Sequence, residues 1–78
     1  MDIKILGSGC TNCTNLELNT RTALERLGIS VDIEKVTDPA QIVAWGVMST
    51  PALVIDDQVV ISGRVPSPDQ LSELLRAR

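Results

Sequence analysis

The sequence predicts a mixed α/β domain with the element order βαβαββα, built on a single mixed four-stranded sheet flanked by helices. Two observations carry this prediction. Apolar residues recur at helical spacing in three segments and follow strand-like patterns in four others. The connections also differ, because a helix between the first two strands predicts a parallel crossover and a tight turn later predicts an antiparallel hairpin. A chain of 78 residues has room for one core, so we expect residues 1–78 to form one domain.

The first half of the chain predicts a strand, a helix and a second strand. An apolar run predicts a strand over residues 2–7, which ends in the sequence Gly-Ser-Gly. Leucine and alanine then recur every three or four residues, which predicts a helix over residues 12–27 that stops before Gly28. Residues 30–36 alternate apolar and charged side chains and are rich in β-branched types, as is typical of a strand.

Two further helices are predicted by their first residues. Asp38 is followed by Pro39, and Ser67 by Pro68. In each pair the polar side chain can cap the helix, and proline suits the first helical position because no amide donor is needed there. The first of these helices is short and ends before Gly46, and the second carries a stripe of leucines to the end of the sequence.

The remaining apolar segments, residues 52–55 and 59–61, predict an antiparallel hairpin with its turn at residues 56–58. Gly63 is expected to end the last strand. Trp45, the only aromatic residue, is expected to pack against the core, and Lys4 to lie on a sheet face with its ammonium in solvent.

Composition excludes several classes of function. The net charge is −3 and the seven lysines and arginines are scattered, so no nucleic acid partner is expected. No apolar run approaches the roughly 20 residues that span a bilayer, and the first residues do not resemble a secretion signal, so we expect no membrane association and a cytoplasmic location. Histidine is absent, which excludes the usual serine and cysteine hydrolases.

The two cysteines, Cys10 and Cys13, form a Cys-x-x-Cys pair at the predicted start of the first helix. Unpaired amides and the helix dipole at this position favour an anion, so Cys10 is expected to be the more acidic thiol and the attacking nucleophile. Cys13 lies one helical turn further on, where it can resolve a mixed disulfide formed at Cys10.

Three alternatives use the same two residues. A purely structural disulfide between Cys10 and Cys13 would close so short a loop that it stabilises the fold by only about 2 kcal/mol. Two thiolates also suit Cu(I) or zinc, so metal binding or delivery by Cys10 and Cys13 is the main rival. Copper-chaperone domains, however, end in a strand, whereas a helix is predicted here. A thiol-bearing interaction module without turnover is the third alternative.

The order of elements, with Cys-x-x-Cys at the start of the first helix and Thr-Pro before the hairpin, resembles the thioredoxin and glutaredoxin fold over nearly the whole chain. The stretches Gly-Ser-Gly-Cys-Thr-Asn-Cys at 7–13, Thr-Pro-Ala-Leu-Val-Ile-Asp at 50–56 and Ser-Gly at 62–63 are similar to those of the small thioredoxin-like proteins called redox-active disulfide proteins. Thiol–disulfide oxidoreductase activity is what this resemblance implies.

The resemblance also implies roles for residues and partners. Pro51 would follow a cis peptide bond and face the cysteines, and Thr50 would offer backbone hydrogen bonds to a bound peptide. The substrates would be disulfide-bonded proteins, and the electron donor would be a flavoprotein similar to thioredoxin reductase. The chain itself would bind no cofactor, and we expect a monomer.

Overall fold

A computed structural model describes residues 1–7, 9 and 11–77. The strands form one sheet in the order β2-β1-β3-β4, in which β1 and β2 are parallel and the other neighbours are antiparallel. This confirms the predicted βαβαββα order and the mixed four-stranded sheet. In chain order the elements are β1 (Ile3–Leu6), α1 (Thr11–Leu27), β2 (Ile33–Val36), α2 (Pro39–Ala44), β3 (Ala52–Ile55), β4 (Gln58–Ser62) and α3 (Pro68–Arg76).

The second strand is shorter than its pattern predicts, because β2 begins at Ile33 and not at residue 30. Ile33 pairs with Ile3, which is the first residue of β1. Residues before Ile33 therefore have no partner in β1, whatever their propensity for strand. The first strand is also one residue shorter at each end than the predicted 2–7. Each of these flanking residues still makes a backbone hydrogen bond: Gly7 N donates to Val36 O at 3.0 Å, and Asp56 N donates to Asp2 O at 2.8 Å.

Both predicted helix caps are present. The Asp38 carboxylate accepts a hydrogen bond from Ala40 N at 3.0 Å. Ser67 and Gln70 form a reciprocal capping box at the start of α3, in which each side chain accepts from the other residue's backbone amide. Short-range polar chemistry in the sequence was therefore sufficient to place these two helix starts.

The hairpin turn uses an uncommon pair of residues. Asp56 and Asp57 both have positive φ, at 49° and 66°, which is the geometry of a two-residue turn between antiparallel strands.

The pairing of β3 with β4 contains a bulge. Leu53 pairs with Ile61 but Val54 pairs with Val59, so Val60 is an extra residue. β4 is also longer than the predicted 59–61, because its ladder with β3 runs from Gln58 to Ser62.

The sheet separates two apolar layers. Alternate residues of β1 and β3 point to opposite faces, so that Ile3 and Ile5 join one buried cluster with α1 and α3, while Leu6 joins another with α2. Trp45 packs against the α2 cluster, as expected. Among the residues described, no helix is both long and apolar enough to cross a membrane.

Candidate functional site

Cys13 lies in the first turn of α1 with its side chain only 6% exposed. Its sulfur is part of a disulfide bond, so the chain is described in its oxidised form. The predicted nucleophile, Cys10, lies outside the described residues. The surroundings of Cys13, the predicted resolving residue, therefore define the geometry of the site.

Gly7 makes room for the Cys13 sulfur. A Cβ atom added to Gly7 would overlap the Cys13 Sγ and would lie 3.3 Å from the Cys13 Cβ. Real Cβ atoms do not approach a neighbour so closely, so any side chain at residue 7 would have to displace the sulfur. From the sequence Gly7 was expected only to end a strand, although a glycine between a buried strand and a cysteine pair is a signal for close approach.

Pro51 also lies close to Gly7. The Thr50–Pro51 peptide bond is cis, Pro51 is buried and Thr50 is exposed. The Cβ position of Gly7 lies 3.9 Å from the Pro51 Cα. The fold thus brings Cys13 and Pro51, which are far apart in sequence, close to the same glycine.

Gly63 supports the backbone segment that leads into Pro51. Its amide donates to the Pro51 carbonyl at 2.8 Å, and a Cβ atom at Gly63 would lie 2.9 Å from the Ser49 Cβ. Its φ of +75° also disfavours a side chain. Gly63 follows the end of β4, as expected, and its lack of a side chain also allows Ser49 to approach closely.

A small cavity opens beside Cys13, with a volume of about 150 Å³. One wall carries charge, because Glu17 accepts hydrogen bonds from Lys35 Nζ at 3.0 Å and from Arg21 Nη2 at 2.9 Å. The bonds from Arg21 and Lys35 lower the pKa of the Glu17 carboxyl below its ordinary value of 4.5. Sequence patterns do not reveal the pair of Glu17 and Lys35, because the two residues come together only when β2 pairs with β1 beside α1. The cavity is lined by Ile5, Gly7, Gly9, Cys13, Thr14, Glu17, Lys35 and Thr37.

A wider apolar groove of about 610 Å³ adjoins Thr50 on the α2 side. Two of its apolar side chains are unusually open to solvent, Val43 at 70% and Met48 at 98% exposure. The groove is bordered by the predicted peptide-binding residue Thr50, so an extended chain bound there would contact apolar surface. Its lining residues are Pro39, Ile42, Val43, Gly46, Val47, Met48 and Thr50.

Lys4 lies away from this site. Its ammonium donates to Asp2 Oδ2 at 2.7 Å and lies 5.8 Å from the centre of the Trp45 ring. The hydrogen bond from Lys4 to Asp2 is the main reason that the pKa of Lys4 is raised above 10.5. Its side chain is 16% exposed, so the lysine is held in a polar contact at the hairpin end of the sheet rather than extended into solvent.

The described residues contain no group of three or more acidic, cysteine or histidine side chains that could hold a metal ion. The metal-binding alternative gains no support from this part of the molecule.

Comparison with known proteins gives consistent matches along the chain. The thioredoxin domain family matches residues 1–76. A thioredoxin of Methanothermobacter thermautotrophicus is 40% identical over 75 residues, which covers 96% of this chain and 97% of that protein. A thioredoxin of Methanocaldococcus jannaschii is also 40% identical over 75 residues, covering 96% of this chain and 86% of that protein.

Proposed function

Because the chain belongs to the thioredoxin domain family, we propose that it is a thiol–disulfide oxidoreductase that exchanges disulfides with protein substrates through Cys10 and Cys13. Cys10 is the proposed nucleophile and the proposed partner of Cys13 in the oxidised protein. The chain has no third cysteine, so the proposed redox centre uses every thiol in the sequence.

The observation that carries this proposal is the placement of the Cys13 sulfur. It is bonded in a disulfide, buried in the first turn of α1, and enclosed by Gly7 close to Pro51. A disulfide within a four-residue stretch constrains the unfolded chain little, so stabilisation alone explains it poorly. Exchange chemistry instead needs a sulfur that is held in one position near a surface that a substrate can reach.

In the proposed reaction the Cys10 thiolate attacks one sulfur of a target disulfide. A bond forms between Cys10 and that sulfur, and the other target sulfur leaves as a thiolate that takes a proton from solvent. Cys13 then attacks Cys10, the second target sulfur leaves, and the protein is left with a Cys10–Cys13 disulfide. Two electrons pass from the protein dithiol to the target, which is reduced.

Thr50 and Pro51 are proposed to bind the substrate peptide beside the cysteines. Thr50 is exposed at the edge of the apolar groove, and the Pro51 segment is held in place by the hydrogen bond from Gly63. A peptide bound along Thr50 could therefore form backbone hydrogen bonds while apolar side chains next to its disulfide contact Val43 or Met48.

The oxidised protein must be reduced again to complete a cycle. We propose a flavoprotein similar to thioredoxin reductase as the electron donor, with no cofactor bound to this chain itself. A reducing compartment such as the cytoplasm suits this direction of electron flow, because target disulfides there are transient.

The test combines a redox titration with two cysteine variants. Thiol trapping across defined dithiol buffers, in the presence of a chelator, is expected to show one reversible disulfide with a midpoint between about −300 and −120 mV. Cys10→Ser is expected to abolish reduction of a disulfide-bonded protein substrate, whereas Cys13→Ser is expected to accumulate a mixed disulfide with it. Both variants have one serine in place of one cysteine, so each serves as the control for the other.

Two results would contradict the proposal. One is a Cys10→Ser protein that still reduces substrates. The other is a chain that forms no internal disulfide in any buffer and whose two thiols become protected only when a metal is restored, which would favour metal handling instead.

A further inference from the structure

Arg64 is a charged residue close to Pro51 that the reaction proposed above does not use. It directly follows Gly63, whose amide donates to the Pro51 carbonyl at 2.8 Å. A second hydrogen bond joins the same two segments, because the Ser62 hydroxyl donates to the Ser49 carbonyl at 3.4 Å. The backbone of Arg64 therefore begins one residue from the segment that leads into β3.

The Arg64 side chain is exposed and has no partner among the residues that the structure describes. The sequence has seven lysines and arginines, and all of them except Arg78 are described. Arg64 makes neither an ion pair nor a side-chain hydrogen bond within the described part of the chain. Its guanidinium therefore keeps its five N–H donors for an external acceptor. The other five cations each form an ion pair: Lys4, Arg21, Arg26, Lys35 and Arg76.

The acids that lie towards this end of the molecule are engaged elsewhere. Glu17 is bonded to two cations of its own, and Asp69 is paired with Arg26. Asp38 caps α2 and follows β2, which is the strand farthest from β4 in the sheet. None of these three acids pairs with Arg64, so a carboxylate from outside can do so.

Carboxylates are concentrated at the other end of the sheet. Asp2 precedes β1, Asp32 precedes β2, and Asp56 and Asp57 form the turn between β3 and β4. The pairing of Ile3 with both Ile33 and Ile55 places these four acids at one end. Lys4 neutralises only part of their charge. An acidic group that approaches the sheet is thus repelled at the hairpin end and attracted at the opposite end.

We propose that Arg64 binds a carboxylate of the protein substrate that lies along Thr50 and Pro51, so that the chain prefers disulfides with an aspartate or glutamate close to the reactive cysteine. A guanidinium suits this role because its planar fork matches the two oxygens of a carboxylate. Arg64 is then a specificity-determining residue, since no bond changes at its side chain. The inference rests on the proposed function and adds a class of substrate to it.

The apolar groove and Arg64 adjoin the same backbone segment. The groove borders Thr50, and none of the described residues that line it is ionisable. Arg64 follows the glycine that is bonded to Pro51. A peptide bound along this segment can therefore place an apolar side chain in the groove and an acidic one at Arg64. Substrates that carry both kinds of residue near the cysteine should bind best.

The first test measures binding without any exchange of disulfides. Short peptides with blocked ends carry serine in place of the reactive cysteine and a leucine next to it. Glutamate, glutamine or lysine is placed two residues before or two residues after the serine. Each peptide is titrated into the oxidised full chain and followed by the NMR shifts of the backbone amides. At one of the two positions the glutamate peptide is expected to bind about threefold more tightly than the glutamine peptide, as one exposed ion pair allows, and the lysine peptide more weakly still.

Variants of two exposed arginines assign this preference. Arg64→Gln is expected to bind the three peptides equally, and Arg64→Glu to prefer the lysine peptide. Arg76→Gln is the matched control, because Arg76 is 65% exposed at the end of α3 and its loss removes the same charge elsewhere. This control should keep the preference of the parent. In about 1 M salt the preference of the parent should largely disappear, because salt screens an exposed pair.

Two further measurements separate recognition from a structural role. Arg64→Gln is expected to unfold at the same temperature as the parent, because Arg64 forms no ion pair with the described residues. With peptides that keep their disulfide, Arg64→Gln should raise KM for the glutamate substrate by about threefold and leave kcat unchanged, since the lost contact contributes to binding and not to exchange.

Equal affinity of the parent for the glutamate and lysine peptides at both positions would overturn the inference, and so would the absence of measurable binding by any peptide. Loss of the preference in Arg76→Gln would also overturn it, because net charge would then be the cause. These outcomes differ from a failure of the proposed function. A parent chain that shows the binding preference but reduces no disulfide keeps Arg64 as a carboxylate-binding residue and contradicts the exchange reaction.

Discussion

The two ends of strand β3 are built in different ways. At the Ala52 end, two glycines allow close packing, because Gly7 leaves space for the Cys13 sulfur and Gly63 leaves space for Ser49. At the Ile55 end, polar groups close the sheet. Asp2 N donates to Asp56 Oδ1 at 2.9 Å, and Lys4 donates to Asp2.

The difference shows how a chain of 78 residues combines an end that holds the disulfide-bonded Cys13 with an end that is closed by polar contacts. Glycines occupy the contact points at the Ala52 end, so the sulfur and the Pro51 backbone can lie close together. The Ile55 end contains charges and hydrogen bonds that satisfy each other. Both ends depend on the same central strand, whose four residues are all buried.

The largest expected effect comes from adding one methyl group at the Ala52 end. Gly7→Ala should displace the Cys13 sulfur, destabilise the oxidised protein by about 1–3 kcal/mol and slow disulfide exchange. Urea unfolding and a substrate-reduction assay measure the two effects.

Gly28→Ala is the matched control, because Gly28 has a positive φ of 69° but no atom within 4 Å of its added Cβ. It should cost about 1–2 kcal/mol through backbone strain and leave exchange unchanged once the protein is folded. Equal exchange rates in the two variants would contradict the role assigned to Gly7.

An intermediate effect on the stability of the fold is expected from pH. It has opposite signs for Glu17, near Cys13, and for Lys4, at the Ile55 end. The pKa of Glu17 is lowered on folding, so its ion pairs stabilise the protein above pH 4.5 and this contribution is lost as the pH falls through the lower folded value. The pKa of Lys4 is raised, so its contribution is complete below pH 10.5 and is lost as the pH rises through the higher folded value.

Unfolding of variants across pH separates the two groups. Glu17→Gln should be less stable than the parent by about 1 kcal/mol at pH 7, and the difference should disappear in acid. Lys4→Met should be less stable than the parent at pH 7, and the two stabilities should converge in strong base. A Glu17→Gln deficit that persists unchanged at low pH would show that packing, not ionisation, is responsible.

The smallest expected effect is at the hairpin turn. Asp57 adopts a φ of 66°, which favours glycine, and its contact with Lys4 at 4.0 Å is weak because the carboxylate is 79% exposed. Asp57→Gly should therefore stabilise the protein by roughly 0.5 kcal/mol in thermal unfolding, with no change in exchange. Asp57→Ala removes the same charge but keeps a Cβ, so a similar gain in that variant would exclude relief of backbone strain as the cause.

The elements of this fold follow from local patterns in the sequence. The spacing of leucines predicted α1 to within one residue, and the caps at Asp38 and Ser67 predicted where α2 and α3 begin. These features depend on residues within one or two turns of each other, and the relevant hydrogen bonds are short-range. The spacing of the Cys-x-x-Cys pair likewise indicates a redox chemistry, although Cys10 lies outside the described residues.

Strand limits could not be obtained in this way. Residues 30–32 continue the alternating pattern of the predicted strand, but the ladder starts at Ile33 because its partner strand starts at Ile3. The extra residue at Val60 is also a property of two strands and not of one. The pairing of strands decides where each strand starts and where a bulge lies, and it joins segments that are distant in the sequence.

Local chemistry in the sequence is enough to predict the order of the elements, the helix caps and the redox-active residue types. Three features of the site arise only in the folded chain: Gly7 encloses the Cys13 sulfur, Gly63 lies against Ser49, and Lys35 crosses from β2 to Glu17 on α1. The physical reason is the range of the interactions involved. Hydrogen-bonded helix starts are local, whereas close packing and ion pairing across a sheet exist only after the chain has folded.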